Sequence, residues 1–110
     1  MNTKILSALA EPSRLRIVEL LRDGSLTVGE IADQLDIRQP QASKHLRVLY
    51  EAGIVEFYAE TNRRIYKLRS EPFKELNSWL DQYRELWEEQ FDNLDRYLQE
   101  LQKKKRNKHK

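Results

Sequence analysis

The first part of the chain combines apolar residues at helical spacing with residues that start or stop helices. Residues 3–9 predict a short helix. A second helix is predicted to open at Glu11–Pro12, because proline suits the first turn, and to stop at Asp23–Gly24. The chain therefore begins with two consecutive helices.

Two further helices, separated by a few residues, predict a helix-turn-helix. Thr27 is the expected N-cap of the third helix, since Glu30 three positions later completes a capping box, and this helix should end near Ile37. The fourth helix is predicted to have Pro40 at its first position and Gly53 as its stop. Two helices joined by so tight a turn are typical of DNA-binding domains.

The next segment predicts a β-hairpin. Residues 54–58 and residues 63–68 are rich in β-branched and aromatic side chains, and residues 60–62 form a polar turn between them. A hairpin that directly follows a helix-turn-helix is expected to be its wing. The predicted fold class is mainly α with a small β-hairpin, a winged helix-turn-helix head followed by a long C-terminal helix.

The C-terminal region returns to helical periodicity. Ser70 is the predicted N-cap of a helix that continues to residue 102, with no glycine and no proline after its first turn. Its apolar stripe is too wide for one helix lying on a head of about 70 residues, so a second copy is expected to cover it. The residues predicted to form this homodimer interface are Phe73, Leu76, Leu80, Tyr83, Trp87 and Leu94.

Charge is strongly segregated along the 110 residues. Residues 1–37, 38–69, 70–102 and 103–110 have net charges of −2, +4, −6 and +6. A basic middle segment is suited to a polyanion. The basic tail, residues 103–110, is expected to be disordered and to attract nucleic acid nonspecifically, with acidic lipid as the weaker alternative. We divide the chain into a head, residues 1–69, a dimerisation helix, residues 70–102, and this tail.

Composition excludes several other classes of protein. The chain contains no cysteine, so disulfides, thiolate metal sites and thiol redox switches are excluded. The absence of a signal-like or membrane-spanning apolar run predicts a cytoplasmic protein. No phosphate-binding glycine loop or activated nucleophile is apparent, so we expect neither an enzyme nor a cofactor.

The outward face of the fourth helix suits DNA. Helical geometry directs Lys44 and Arg47 outward, bordered by Gln41 and Ser43, while Ala42, Leu46 and Leu49 point inward. Amide and guanidinium groups can bond base edges, and lysine neutralises phosphate. A solvated helix face has the same composition, and only its place in a helix-turn-helix favours DNA.

Two arginines occupy the predicted hairpin turn. Arg63 and Arg64 suit contacts with phosphates or a minor groove, although exposed arginines at a strand edge also discourage aggregation. Their position behind the fourth helix favours the DNA contact.

Residues 6–21, LSALAEPSRLRIVELL, and residues 39–57, QPQASKHLRVLYEAGIVEF, resemble the signature segments of the ArsR/SmtB family of winged-helix repressors. The resemblance covers roughly residues 3–69, and it implies a dimeric regulator whose fourth helix enters the major groove. It further implies a set of residues near double-stranded DNA: Gln39, Gln41, Ser43, Lys44, His45, Arg47, Arg63 and Arg64. His45 lies at the edge of the buried face, where a structural hydrogen bond fits equally well.

The sequence departs from relatives that sense metals through cysteines or His–carboxylate pairs. The third helix has no thiol, and both histidines, His45 and His109, lie outside the last helix. We therefore predict a repressor of an inverted-repeat operator that does not sense metal. The alternatives are a helical dimer that acts as a protein-interaction module, or a repressor released by a protein anti-repressor.

Overall fold

The computed structural model describes residues 2–108, and the side chains of residues 2–104. Two compact units divide the chain, one ending at Glu75 and the other starting at Leu76. This division falls five residues into a helix, whereas the sequence predicted a boundary after residue 69. The elements are α1 (Thr3–Leu9), α2 (Pro12–Leu21), β1 (Leu26–Thr27), α3 (Val28–Leu35), α4 (Gln39–Glu51), β2 (Val55–Glu60), β3 (Arg63–Leu68), α5 (Glu71–Asp81) and α6 (Arg84–Lys108).

Local capping explains where the first helices begin. The carboxylate of Glu11 accepts a hydrogen bond from the backbone N–H of Arg14 at 2.9 Å, and Pro12 lies in the first turn of α2 as predicted. The predicted capping box of α3 is also confirmed. The Glu30 N–H donates to Thr27 Oγ1 at 3.2 Å, and the Thr27 N–H donates to Glu30 Oε1 at 3.0 Å.

The helix-turn-helix is present, with small shifts at its boundaries. Asp36 adopts a left-handed conformation (φ 55°) directly after α3 and ends that helix, near the predicted end at Ile37. Pro40 is the second residue of α4 rather than the first. Gly53 has φ 77° after the end of α4, and a Cβ there would lie 3.2 Å from the Arg69 guanidinium. Glycine is favoured at this stop by its positive φ, whereas the flexible end of Arg69 can shift to admit a Cβ.

The wing is part of a three-stranded antiparallel sheet with the order β1–β3–β2. Glu60 pairs with Arg63 across a two-residue turn in which Thr61 has φ 58°. The strand β1, whose Leu26 pairs with Tyr66, was not predicted from the sequence. A two-residue strand is too short to produce an alternating pattern, so the predicted two-stranded hairpin is corrected to three strands.

The core of the first unit holds α4 in place. Leu46 and Leu49 of α4 are completely buried, as are Ile17 of α2, Ile31 of α3 and Ile54 before β2. Burying a side chain of this size stabilises the fold by about 1.5–3 kcal/mol. The orientation of α4 is thus fixed by the apolar side of its own sequence.

The C-terminal region is helical, as predicted. The structure divides it into two helices, whereas the sequence predicted one continuous helix over residues 70–102. Helix α5 ends at Asp81, and helix α6 begins at Arg84. The N–H groups of Gln82 and Tyr83 bond carbonyls three residues back, at 3.3 and 3.0 Å, which tightens the backbone into a turn. Arg84 then contacts Asp81 at 3.3 Å across the turn. Tyr83 therefore lies between two helices rather than within one.

The end of α6 differs from the sequence expectation as well. The helix α6 continues to Lys108 and includes residues 103–108, where the sequence analysis expected the start of a disordered tail. Lysine and arginine are good helix formers, and cations near a helix C-terminus interact favourably with its dipole. The remaining two residues of the predicted tail, including His109, lie outside the described residues. Across residues 2–108, no helix is both long enough and apolar enough to cross a bilayer.

Candidate nucleic-acid interface

The outer face of α4 consists of polar and cationic side chains. Lys44 and Arg47, predicted to face outward, are exposed, as are Gln41 and Ser43, predicted to border that side. Gln39, which the family resemblance adds, is exposed as well. On the opposite side, Ala42, Leu46 and Leu49 have no exposed surface. The sequence therefore predicted correctly which side of α4 is free to meet a ligand.

Gln41 is oriented by the backbone at the start of α4. Its Oε1 accepts a hydrogen bond from the backbone N–H of Arg38 at 3.2 Å. This contact satisfies one helix-terminal N–H and restrains the side-chain amide. The two N–H donors of the Gln41 amide are available to acceptors on a ligand.

Arg47 forms an ion pair along the exposed face. Its Nε donates to Glu51 Oε1 at 3.1 Å, one turn further along α4. Both side chains are well exposed, at 81% and 64%, so solvent screens the pair and its contribution to stability is small. The main consequence of Glu51 is electrostatic, because it places a negative charge beside a cation predicted to meet phosphate.

His45 is turned toward α2 rather than toward the exposed face. Its Nδ1 lies 3.8 Å from Glu11 Oε2, and a quarter of its side chain is exposed. Because Glu11 also caps α2, the contact joins the middle of α4 to the start of α2. At 3.8 Å this contact is longer than a hydrogen bond, and a DNA contact of His45 stays a prediction.

The wing arginines are exposed at the start of β3. Arg64 lies over the ring of Phe57, with its guanidinium carbon 4.7 Å from the ring centre, within cation–π range. Phe57 in turn packs against Tyr50 and Tyr66, with ring centres 5.2 and 5.3 Å apart. Sequence reasoning missed this aromatic support, because the cross-strand register that brings Phe57 near Arg64 depends on the turn.

A cleft of about 330 Å³ joins α4 to the wing. It lies where the first turns of α3 and α4 meet the hairpin tip, and its walls include four of the predicted DNA-contacting residues, Gln39, Ser43, Arg63 and Arg64. The remaining lining residues are Thr27, Val28, Gly29 and Asn62. These four were missed because they are ordinary capping and turn residues in sequence. The two predicted sets, on the helix and on the wing, thus share one surface.

Glu30, in the first turn of α3, interacts electrostatically with Arg63 of the wing. The backbone N–H of Thr27, its hydroxyl group and, to a smaller extent, the positive charge of Arg63 hold the pKa of Glu30 below its usual range. A hydrogen bond to the charged form of a carboxylate favours that form. Glu30 is therefore held as an anion that both completes the capping box and attracts the wing arginine.

No metal-like cluster is associated with these residues. In the part of the chain that the structure describes, no group of three or more His, Cys, Asp or Glu side chains is arranged to hold a metal ion. Insensitivity to metal stays a prediction.

Comparison with known proteins identifies the fold and the family. A helix-turn-helix domain family matches residues 9–56. A crystal structure of an ArsR family transcriptional regulator is similar with a TM-score of 0.69 and 32% identity, and the match covers 78% of this chain and 89% of that one. This chain belongs to the ArsR/SmtB family.

Several bacterial relatives of this ArsR/SmtB protein are named regulators. An HTH-type transcriptional regulator of Mycobacterium tuberculosis is 40% identical over 69% of this chain and 71% of that protein. The biofilm growth-associated repressor of Agrobacterium fabrum is 45% identical over 58% of this chain, which spans only 55% of that protein's length. The match to the helix-turn-helix domain lies within the first unit, where α4 and the wing are found.

Proposed function

We propose that this ArsR/SmtB protein is a homodimeric transcriptional repressor that places α4 in the major groove of an inverted-repeat operator. The observation that supports this most is the shared cleft, in which Gln39 and Ser43 of α4 lie beside Arg63 and Arg64 of the wing. A recognition helix in the major groove with a basic wing beside it would contact bases and backbone together.

The exposed side chains divide into two roles by their chemistry. Lys44, Arg47, Arg63 and Arg64 are cations and would mainly neutralise phosphates. Gln39, Gln41 and Ser43 offer neutral donors and acceptors, which discriminate base edges. Gln41, restrained by Arg38, would read acceptor groups with its two N–H donors.

Dimerisation is supported by exposed apolar side chains on the C-terminal helices. Of the residues predicted for the interface, Leu80, Tyr83, Trp87 and Leu94 are 37–51% exposed, and Phe73 and Leu76 are half-buried. A related winged helix-turn-helix domain from Mycobacterium bovis, 29% identical over 76% of this chain with a TM-score of 0.63, is described as homodimeric. Two recognition helices about 34 Å apart would meet successive major grooves. Occupancy of such a site would block polymerase.

Removal of the cations on α4 tests this assignment. We expect Lys44→Ala with Arg47→Ala to weaken binding to every DNA sequence and to reduce the salt dependence, as the slope of log K against log salt, by about 2. The matched control is Arg16→Ala with Arg22→Ala, which removes two exposed cations from the α2 region. An unchanged nuclease footprint and salt slope in the α4 variant would exclude α4 from the interface.

Replacement of a base-reading residue should have a different signature. Gln39→Ala is expected to cost about 1–3 kcal/mol on the preferred site and to relax one base position, while nonspecific binding stays unchanged. Selection of randomised sites by the parent and the variant measures this. Equally weakened binding to all DNA sites would mean that Gln39 contacts the DNA backbone rather than a base.

A further inference from the structure

Arg69 lies where three elements meet, directly after the wing strand β3. Its Nη1 donates a hydrogen bond to the carbonyl oxygen of Gly53, just beyond α4, at 3.3 Å. Its Nε lies 3.9 Å from Glu56 Oε2 in β2 and 3.7 Å from Glu71 Oε2 in the first turn of α5. Its backbone N–H donates to the carbonyl oxygen of Ile54 at 2.9 Å. Within the first unit, one residue therefore contacts the end of α4, the base of the wing and the start of α5.

The other face of β2 attaches the wing to α4 a second time. Phe57 follows Glu56 in the strand, so its side chain points to the opposite face of the sheet. Its ring centre lies 5.2 Å from that of Tyr50 of α4, and Arg64 lies over the same ring. The contacts of Arg69 on one face oppose tilting of the hairpin about the aromatic contact on the other.

A small tilt at the base of the wing becomes a large movement at its tip. At about 3.3 Å per residue, Arg63 lies about 20 Å along β3 from Arg69. A tilt of about 10° would therefore move Arg63 by about 3 Å, which is comparable with the whole length of a hydrogen bond. The predicted contacts of Arg63 and Arg64 with DNA would not survive such a movement.

We propose that Arg69 is a positioning residue for DNA binding, which joins the base of the wing to the end of α4 and so keeps Arg63 and Arg64 aligned with α4. The role requires the planar fork of a guanidinium group, which can bind a carbonyl and carboxylates together, and not only a positive charge. The side chain of Arg69 is 40% exposed, so solvent screens its ion pairs and their contribution to stability is small. This inference rests on the proposed function.

Variants of Arg69 test the need for a guanidinium group. We expect Arg69→Gln to weaken operator binding about tenfold and Arg69→Lys, which keeps the charge, to weaken it about threefold. The control is Lys67→Gln, because Lys67 also pairs with Glu56, at 3.3 Å, and its loss should change the affinity less than about twofold. Urea unfolding checks that each variant is folded. Full affinity in either Arg69 variant, or an equal loss in the control, would overturn the proposal.

A double-mutant cycle shows whether Arg69 acts through the wing. When Arg63 and Arg64 are both replaced by Gln, Arg69→Gln should weaken operator binding by less than about twofold more, because the contacts that it positions are already lost. In a Lys44→Ala background, which alters α4 instead, Arg69→Gln should keep its full effect. Equal losses in the two backgrounds would overturn the proposal.

Spin-label distances follow the wing in the absence of DNA. The chain has no cysteine, so Glu19→Cys on α2 and Asn62→Cys at the wing tip accept two nitroxides at exposed positions. Dilution with unlabelled protein restricts the measured distances to those within one copy. We expect Arg69→Gln to broaden the distribution of the 19–62 distance and Lys67→Gln to leave it unchanged. An unchanged distribution in Arg69→Gln would overturn the proposal.

The outcomes separate this inference from the proposed function. If the parent binds its operator and the effects of Arg69 and of the wing arginines are simply additive, only the positioning role is wrong. If the variant with Gln at positions 63 and 64 binds as tightly as the parent, the wing contact of the proposed function is wrong, and the positioning role with it. A parent that binds no operator would overturn both.

Discussion

At the scale of single residues, the candidate interface includes three arginines, each beside a group that influences how strongly the arginine can attract phosphate. Arg47 lies 3.1 Å from Glu51, Arg64 lies over Phe57, and Arg63 is attracted by Glu30. Such contacts orient long side chains and lower the entropy lost on binding. The carboxylates of Glu51 and Glu30 also reduce the positive charge that DNA would meet.

Glu51 is expected to weaken DNA binding. Glu51→Gln keeps the size of the side chain but removes the negative charge next to Arg47, so we expect operator binding to tighten by about two- to fivefold at low salt, with a smaller gain at high salt. Fluorescence anisotropy across a salt series measures this. Glu19→Gln, an exposed carboxylate on α2, is the matched control. Weaker binding by Glu51→Gln would mean that orientation of Arg47 outweighs its charge.

Glu30 should make the stability of the fold depend on pH. Because its pKa in the folded state is lowered, Glu30 contributes stability that is fully present above the ordinary glutamate pKa of about 4.3 and is lost as pH falls through the lowered value. Glu30→Gln should therefore be less stable than the parent at pH 7, with a difference that shrinks as the solution becomes more acidic.

Urea unfolding of both proteins between pH 7 and pH 3 checks this expectation. In an Arg63→Gln background the pH dependence should decrease only slightly, since Arg63 makes the smallest of the favourable contributions to the Glu30 shift. An equal difference between Glu30→Gln and the parent at both ends of the pH range would contradict the account.

At the scale of secondary-structure elements, the polar face of α4 is exposed because the opposite, apolar face is buried. The interior side chains of α4 fix the rotation of the helix, and therefore the direction of Lys44 and Arg47. The short α3–α4 connection, with its left-handed Asp36, limits the angle between the two helices.

Truncation of a buried side chain of α4 should lower the stability of the fold. Leu46→Ala removes a completely buried side chain and is expected to lower the free energy of unfolding by about 2–5 kcal/mol. Val48→Ala is the control on the same helix, since Val48 is 39% exposed, and should cost less than about 1 kcal/mol. Thermal and urea unfolding measure both. Equal effects would show that α4 is not held by its apolar side.

Some elements were predicted from the sequence and others were not. The difference depends on whether an element is determined by neighbouring residues or by pairing with a distant segment. The capping box of Thr27 and Glu30, the first turn at Pro12 and the stop at Gly53 depend on neighbours within a few residues, and all were predicted. The short β1 strand exists only through pairing with β3. The turn at Gln82–Tyr83 has neither glycine nor proline to mark it.

In the candidate interface, too, local features were predicted and tertiary contacts were not. The exposed residues of α4 could be predicted because 3.6-residue periodicity separates them from Leu46 and Leu49. The contacts of His45 with Glu11 and of Arg64 with Phe57 join residues far apart in sequence or across a sheet register. Such contacts depend on tertiary packing, which a single sequence does not display.

At the scale of the whole molecule, the central claim is that two copies of this ArsR/SmtB protein recognise one inverted repeat. Each copy supplies one α4 and one wing, and the spacing of the two copies sets the spacing of the half-sites. A protein with only a general attraction for polyanions would share the basic segment 38–69 but would not distinguish sequences.

Selection of genomic DNA fragments by the purified full-length protein at several salt concentrations, followed by sequencing of the retained fragments, tests this claim most directly. We expect an enriched inverted repeat whose half-sites are centred one helical turn, or a multiple of it, apart. Fragments with this repeat should stay bound at salt concentrations that release other fragments. Salt-sensitive retention of all fragments without enrichment, or no retention, would contradict it and favour a protein-interaction module.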